Sequence, residues 1–173
     1  GDAVIRGGEI EVRLAVTPNL SISAQAGYLD GAYDRVTADL NGDLLVNEAD
    51  RALEIPRLAP WTYGASVDYE QPFGPGVASL RVAYNHRDQA FYNDTNLGQL
   101  AEADMVDANF AWEHGSGHWL VALYGENLLD EPTWGGDTIL PSSTAFGFSG
   151  GARPTFSPMN KGRVFGAELR LRY

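Results

Sequence analysis

Apolar and polar side chains alternate one by one through most of this chain. At its C-terminal end Phe165, Ala167, Leu169, Leu171 and Tyr173 interleave with Gly166, Glu168, Arg170 and Arg172. That period of two puts every apolar side chain on one face of a strand and every charge on the other. The same pattern predicts strands over 63–70, 78–85, 106–113 and 20–28, and near the start, where Ile10, Val12, Leu14 and Val16 face away from Glu9, Glu11 and Arg13. The stretch 119–127 is apolar on both faces, so its pattern predicts a strand without an orientation. About seven strands result, each long enough for the roughly 9 to 11 residues that a tilted membrane-crossing strand requires.

The connections sort by length. Tight links (Thr17-Pro18-Asn19, 71–76 and His114-Gly115-Ser116-Gly117-His118) alternate with long ones at roughly 35–58, 93–103 and 132–162. Short turns on one rim and long loops on the other is how bacterial outer-membrane barrels are built, with the short rim periplasmic. A soluble sandwich has no reason to segregate its loops this way. The apolar face of a soluble sheet needs a second layer, whereas in a barrel it faces lipid and the charged face lines a wet interior. The expected fold is therefore all-β: an antiparallel up-and-down transmembrane β-barrel segment, about seven strands of a larger barrel, with terminal Tyr173 in the interfacial girdle. If the last strand ends at the periplasmic rim, counting back puts residue 1 on the outer side, while an intact barrel has an even strand number and starts in the periplasm. About seven strands also fall below the smallest closed barrel of roughly eight. The expectation is that 1–173 is the C-terminal part of a longer barrel whose earlier strands are absent from it, and whose edges would be a liability alone.

Composition changes this picture little. With 173 residues, 44% of them apolar and 20% charged, the chain would pass as an ordinary soluble domain. It has no apolar run of about 18 residues, which excludes a membrane-spanning helix and is neutral for a barrel. No export signal opens it, and a missing beginning is the favoured reading. The absence of cysteine excludes disulfides, thiolate metal sites and a cysteine nucleophile. A net charge of −11, with 12 scattered basic residues, argues against a nucleic-acid partner.

One segment resembles a chemical site. Asp39, Asn41, Asp43, Asn47 and Asp50 fall at positions 1, 3, 5, 9 and 12 of an EF-hand loop, with the Leu45 carbonyl at position 7. The segment also resembles the calcium loops of dockerin modules, which end in Asp. Leu44 stands at position 6, where the sharp turn usually takes Gly, and a β-carbon there costs roughly 1 to 2 kcal/mol. Two readings follow: a Ca²⁺ clip that orders a long outer loop, or an acidic Asn/Gly turn that keeps the loop bent and solvated. One or two helical turns are expected over 47–53, capped by Asn47. His114 and His118 flank a tight turn and read as solvated turn residues, and His86 reads as interfacial. Trp134, Phe146, Phe148 and Phe156 lie among Gly, Ser and Pro in the last long loop, placed either to meet a ligand or to pack the loop on itself. No nucleophile elbow, phosphate-binding glycine loop or His-Glu metal motif occurs, so an enzyme is not expected.

The chain resembles TonB-dependent outer-membrane receptors, on four stretches in the right order. Gly8-Glu9-Ile10-Glu11-Val12, a turn, and Leu20 to Asp30 resemble a pair of their strands. Pro56-Arg57-Leu58-Ala59-Pro60 before Tyr63-Gly64-Ala65 resembles a loop leading into the next. Glu126-Asn127-Leu128-Leu129-Asp130-Glu131 is similar to their Asn-Leu-Phe-Asp element, with Leu129 for Phe. Pro158 to Tyr173 resembles their closing strand. The resemblance implies a barrel of about 22 strands with a plugged lumen, in the bacterial outer membrane among its lipids. It also implies TonB-driven import of a small molecule (siderophore, cobalamin or saccharide), energised through N-terminal parts not present in this sequence. The alternatives are an extracellular soluble calcium-binding β module and another barrel, such as a porin or a barrel enzyme.

Overall fold

The computed structural model describes residues 1–134, 138–139 and 155–172. Seven strands form one antiparallel sheet: β1 (Asp2–Thr17), β2 (Leu20–Arg35), β3 (Trp61–Phe73), β4 (Gly76–Arg87), β7 (Ala103–His114), β8 (Trp119–Glu126) and β11 (Val164–Leu171). They follow one another in chain order, β1-β2-β3-β4-β7-β8-β11, so each strand lies beside its predecessor. The expected up-and-down barrel segment is what forms, with β1 and β11 as separate edges of an open sheet. Between the long strands lie a short helix α1 (Glu48–Arg51) and two small hairpins, β5 (Ala90–Phe91) with β6 (Gln99–Leu100) and β9 (Thr138–Ile139) with β10 (Thr155–Phe156).

Register assigns the faces, because directly paired residues project to the same side. One row runs Leu14, Ile22, Val67, Val82, Ala108, Gly125, Phe165 across all seven strands, and every member is apolar or Gly. The opposite face carries Ser23, Ser66, Asp68, Arg81 and Asn109 in neighbouring rows, and open recesses lie along it. The unoriented stretch is now oriented: Val121 and Leu123 of β8 pair with Leu169 and Ala167 on the apolar face, which turns Leu120, Ala122 and Tyr124 towards the polar one. Tyr124 fits there because it lies over Gly166, whose absent β-carbon would collide with the ring.

Among the described residues no second layer stands behind the apolar face. Among the described residues the buried apolar side chains are four alanines (Ala59, Ala90, Ala103 and Ala122), while Ile10, Leu14, Val67, Phe110, Leu123 and Leu169 are exposed. An apolar face so large and uncovered marks a surface that meets a membrane or another apolar partner. Aromatic side chains border it on both rims: Tyr28, Trp61, Tyr63 and Tyr84 on the long-loop side, Phe73, Trp112 and Trp119 on the short-turn side. Tyr28 and Trp61 touch across β2 and β3, 4.8 Å between ring centroids. From Tyr63 to Phe73 is ten residues of β3, which at about 3.3 Å per residue and a tilt of about 40° rises about 25 Å, the height of the apolar band of an outer-membrane barrel. Tyr173, expected in such a girdle, lies outside the described residues, as do Phe146 and Phe148.

β1 and β2 are longer than their alternation suggests. They continue as a paired hairpin to Asp2 and Arg35, past the aromatic border. There the pattern changes sides: Arg6 pairs with Asp30 on the face that is apolar lower down, and Ile5 and Leu29 point to the other. A β-carbon on Gly31 would meet Ile55 and Leu58, each at 2.9 Å, so the loop 36–60 packs closely against the inner side of this extension.

Candidate functional site

The expected helix forms as α1, with Asn47 as its N-cap accepting from the Ala49 N–H at 2.6 Å. Asp50 completes a capping box by accepting the Asn47 N–H at 2.9 Å. Its other oxygen takes the Leu40 and Asn41 N–H groups at 2.8 and 3.1 Å, and the residue is 0% exposed. The Asn47 N–H foremost, with those of Leu40 and Asn41, holds the Asp50 carboxyl below the usual carboxylate range against the opposing effect of burial. Asp39 accepts from the Gly42 and Leu44 N–H groups at 2.6 and 2.8 Å, Asn41 from Asp43, and Asp43 from the Leu45 N–H and the Asn47 side chain at 2.8 and 3.0 Å. Leu44 takes the left-handed turn its position requires, at φ 68°. The structure thus gathers all six sequence-predicted oxygen donors in one loop and turns their carboxylates onto backbone N–H groups. Among the described residues no group of three or more His, Asp or Glu surrounds a common point fit for a metal.

The Asn-Leu-x-Asp element is a lock at the long-loop rim. Asn127, 2% exposed, turns the chain out of β8 at φ 49°. Its side chain accepts the Glu131 N–H and donates to the Glu131 carbonyl, both at 2.8 Å, and its own N–H donates to Asp107 at 2.8 Å. Leu128 N–H reaches back to the Val106 carbonyl at 2.7 Å. Asp130, at φ 58°, accepts the Arg163 N–H at 2.9 Å and so ties the end of β8 to the start of β11. The two ends of the last long loop are held together here, and just beyond them Trp134 bridges Met159. Phe156 sits exposed in β10.

His86 stacks on Tyr63 at 4.4 Å in the aromatic border, with Nδ1 2.8 Å from Asp104 and Nε2 3.0 Å from Asp88. That placement agrees with an interfacial residue. His114 bonds Ser116 within its own turn at 2.8 Å, and His118 is exposed at the turn's far end.

What sequence reasoning missed is the place where the three long connections meet. A recess of about 490 Å³ opens there on the polar side of the sheet, walled by Asn85 and Arg87 of β4 and Met105 of β7. Arg57 comes from the first long connection, Tyr92 from the second and Trp134 from the third. Arg57 is seated by its N–H on the Phe91 carbonyl at 2.6 Å, with its guanidinium 4.6 Å from the centre of the Tyr92 ring. These residues lie far apart in the sequence, and it singled out two of them separately, Arg57 in the Pro56-to-Pro60 motif and Trp134 among the aromatics of the last long loop.

Comparison with known proteins agrees with this architecture. The TonB-dependent receptor-like β-barrel family matches residues 1–128. Among solved structures, the ferric yersiniabactin uptake receptor FyuA from Yersinia pestis is similar at a TM-score of 0.77 and 18% identity, over 98% of this chain and 23% of that one. BauA, the ferric preacinetobactin receptor from Acinetobacter baumannii, is similar at a TM-score of 0.65 and 11% identity, over 95% of this chain and 21% of that one. The chain thus spans less than a quarter of either solved receptor. No curated protein matches the sequence. With seven lipid-type strands in unbroken order and a family match over most of its length, this chain belongs to the TonB-dependent receptor-like β-barrel family.

Proposed function

We propose that this chain forms part of the barrel wall of an outer-membrane receptor that imports a scarce small molecule, such as a siderophore, with energy from the TonB complex. The observation that carries this reading is the two-faced sheet: an uncovered apolar face about 25 Å high between aromatic borders, backed by a polar face that opens towards the long loops. Membership of the receptor family and likeness in fold to two ferric-siderophore receptors support it. In this arrangement the polar face lines the lumen, the short turns are periplasmic, and the 39–50 loop is outside the cell. The wall positions and admits ligand; it performs no covalent chemistry. Cells expressing the receptor that contains this chain should accumulate a radiolabelled ferric chelate only while TonB is present. Accumulation that persists unchanged after TonB deletion would overturn the reading.

For the 39–50 loop we propose a Ca²⁺ clip through Asp39, Asn41, Asp43, the Leu45 carbonyl, Asn47 and Asp50. It is favoured by Leu44 holding the left-handed turn with its N–H on Asp39, as position 6 of such a loop requires. Binding would require Asp50 to release backbone donors to the ion. Calorimetric titration of the receptor with Ca²⁺ should give heat that the Asp43→Ala variant lacks; equal heats would remove the clip.

A further inference from the structure

We propose that the recess where the three long connections meet is a subsite for an anionic group attached to a flat, unsaturated ring. This rests on the import reading and narrows its ligand class, favouring an acidic aromatic ligand over a neutral saccharide. Three observations converge on it.

The first is charge. The chain has 23 acidic and 12 basic residues, and four other recesses on the polar face each carry a carboxylate: Glu11 and Asp68 in one, Glu9 in the next, Glu70 in a third, Asp107 and Glu126 in the fourth. The recess at the loop junction is lined by Arg57 and Arg87 and, among the described residues, by no Asp or Glu. In so acidic a chain a recess lined by two guanidinium groups and no carboxylate favours an entering anion over the neighbouring recesses, even with Asp88 and Asp104 bonded to its His86.

The second is unspent hydrogen-bonding capacity. Arg35, Arg51, Arg81, Arg163 and Arg170 each meet a carboxylate, while among the described residues Arg6, Arg13 and Arg172, all outside this recess, meet none. Among the described residues Arg57 and Arg87 form no ion pair. Arg87 gives one N–H to the Ala101 carbonyl at 2.8 Å, and the Arg57 guanidinium faces the Tyr92 ring. A guanidinium has five donors in a planar fork that matches a carboxylate, so most of the donors of both groups remain available.

The third is the kind of surface beside the charges. Trp134, Met105 and Leu100 supply aromatic and apolar contact in the same recess as the two arginines, and about 490 Å³ falls within the range of small-molecule sites. Two cations and an indole lining one recess suit a ligand that carries both a charge and a ring.

The test uses the full receptor in detergent and three probes: benzoate, its neutral isostere benzamide, and cyclohexanecarboxylate, which keeps the charge and loses the ring. Saturation-transfer NMR titration should rank benzoate ahead of both, by at least fivefold over benzamide. The Arg57→Gln/Arg87→Gln double variant should bring benzoate down to the level of benzamide while leaving benzamide unchanged. Circular dichroism confirms that the variant barrel is folded, and Lys161→Gln combined with Arg172→Gln, both outside the recess, serves as a control that removes the same two charges. Equal binding of benzoate and benzamide, no binding of either, or an equal loss with the Lys161→Gln/Arg172→Gln control would each overturn the subsite. TonB-dependent uptake is scored separately: a receptor that still imports under TonB control but ignores charge refutes this inference and leaves the import reading standing.

Discussion

The lock at Asn127 allows a quantitative test. In Asn127→Ala both side-chain bonds to Glu131 vanish, and two backbone groups in a nearly closed environment lose their partners. At about 1 kcal/mol per bond this removes about 2 kcal/mol. Asn is among the few residues that tolerate a left-handed backbone, and alanine at φ 49° adds about 1 kcal/mol more. The sum, about 3 kcal/mol, corresponds to roughly a hundredfold rise in local opening, since each 1.4 kcal/mol is a factor of ten. Hydrogen exchange of the Glu131 amide, measured on the receptor in micelles by mass spectrometry of a peptide spanning 127–134, reads that opening directly. Leu129→Ala is the control. Leu129 belongs to the same motif but is 55% exposed, so its truncation should change exchange by less than about threefold. A rise of less than about fivefold in N127A, or equal effects from both variants, would show that the motif is held by something other than the asparagine amide.

Two further outcomes follow from the 39–50 loop. Because the folded Asp50 carboxyl is depressed below its unfolded value, its stabilisation is fully present above about pH 4 and is lost as pH falls through the folded value. Exchange of the Leu40 and Asn41 amides, corrected for intrinsic rate, should therefore stay flat from pH 7 to about pH 4 and rise below it; Asp50→Asn should exchange faster throughout and lose that acid step, and a wild-type step above pH 5 would contradict the sign. Leu44 is 90% exposed and left-handed, so Leu44→Gly loses little packing and relieves about 1 to 2 kcal/mol of backbone strain, partly offset by about 0.5 to 1 kcal/mol of glycine's extra unfolded freedom. The variant loop should resist protease as well as or better than wild type, and faster cleavage would place the strain elsewhere.

How much of this could be read from the sequence depended on distance along the chain. Strands with one apolar and one polar face, such as β3 and β11, were legible from alternation alone. β8 was not, because Leu120, Ala122 and Tyr124 make its lumen face apolar too; only pairing with β7 and β11 orients it. The hairpin extension of β1 and β2 was hidden for the opposite reason: its alternation reverses sides above Gly8 where the 36–60 loop replaces lipid as the apolar neighbour. At the 39–50 loop the spacing anticipated the Asn47 cap of α1, but spacing carries no direction, and the candidate donor side chains turn to the loop's own N–H groups. Arg57, Arg87, Tyr92 and Trp134 were illegible as a group, since strand register and three separate loops bring them together.

The long connections are stitched to one another. Asn96 exchanges two hydrogen bonds with the Glu54 backbone, accepting at 2.7 Å and donating at 2.9 Å, while the Tyr33 hydroxyl donates to Asp94 at 3.3 Å. Evolution and engineering therefore meet a shared constraint in this crown. Replacing the segment 88–102 alone, to borrow a relative's specificity, would leave Glu54 and Tyr33 without their counterparts, so a workable graft carries 33–60 and 88–102 as one cassette.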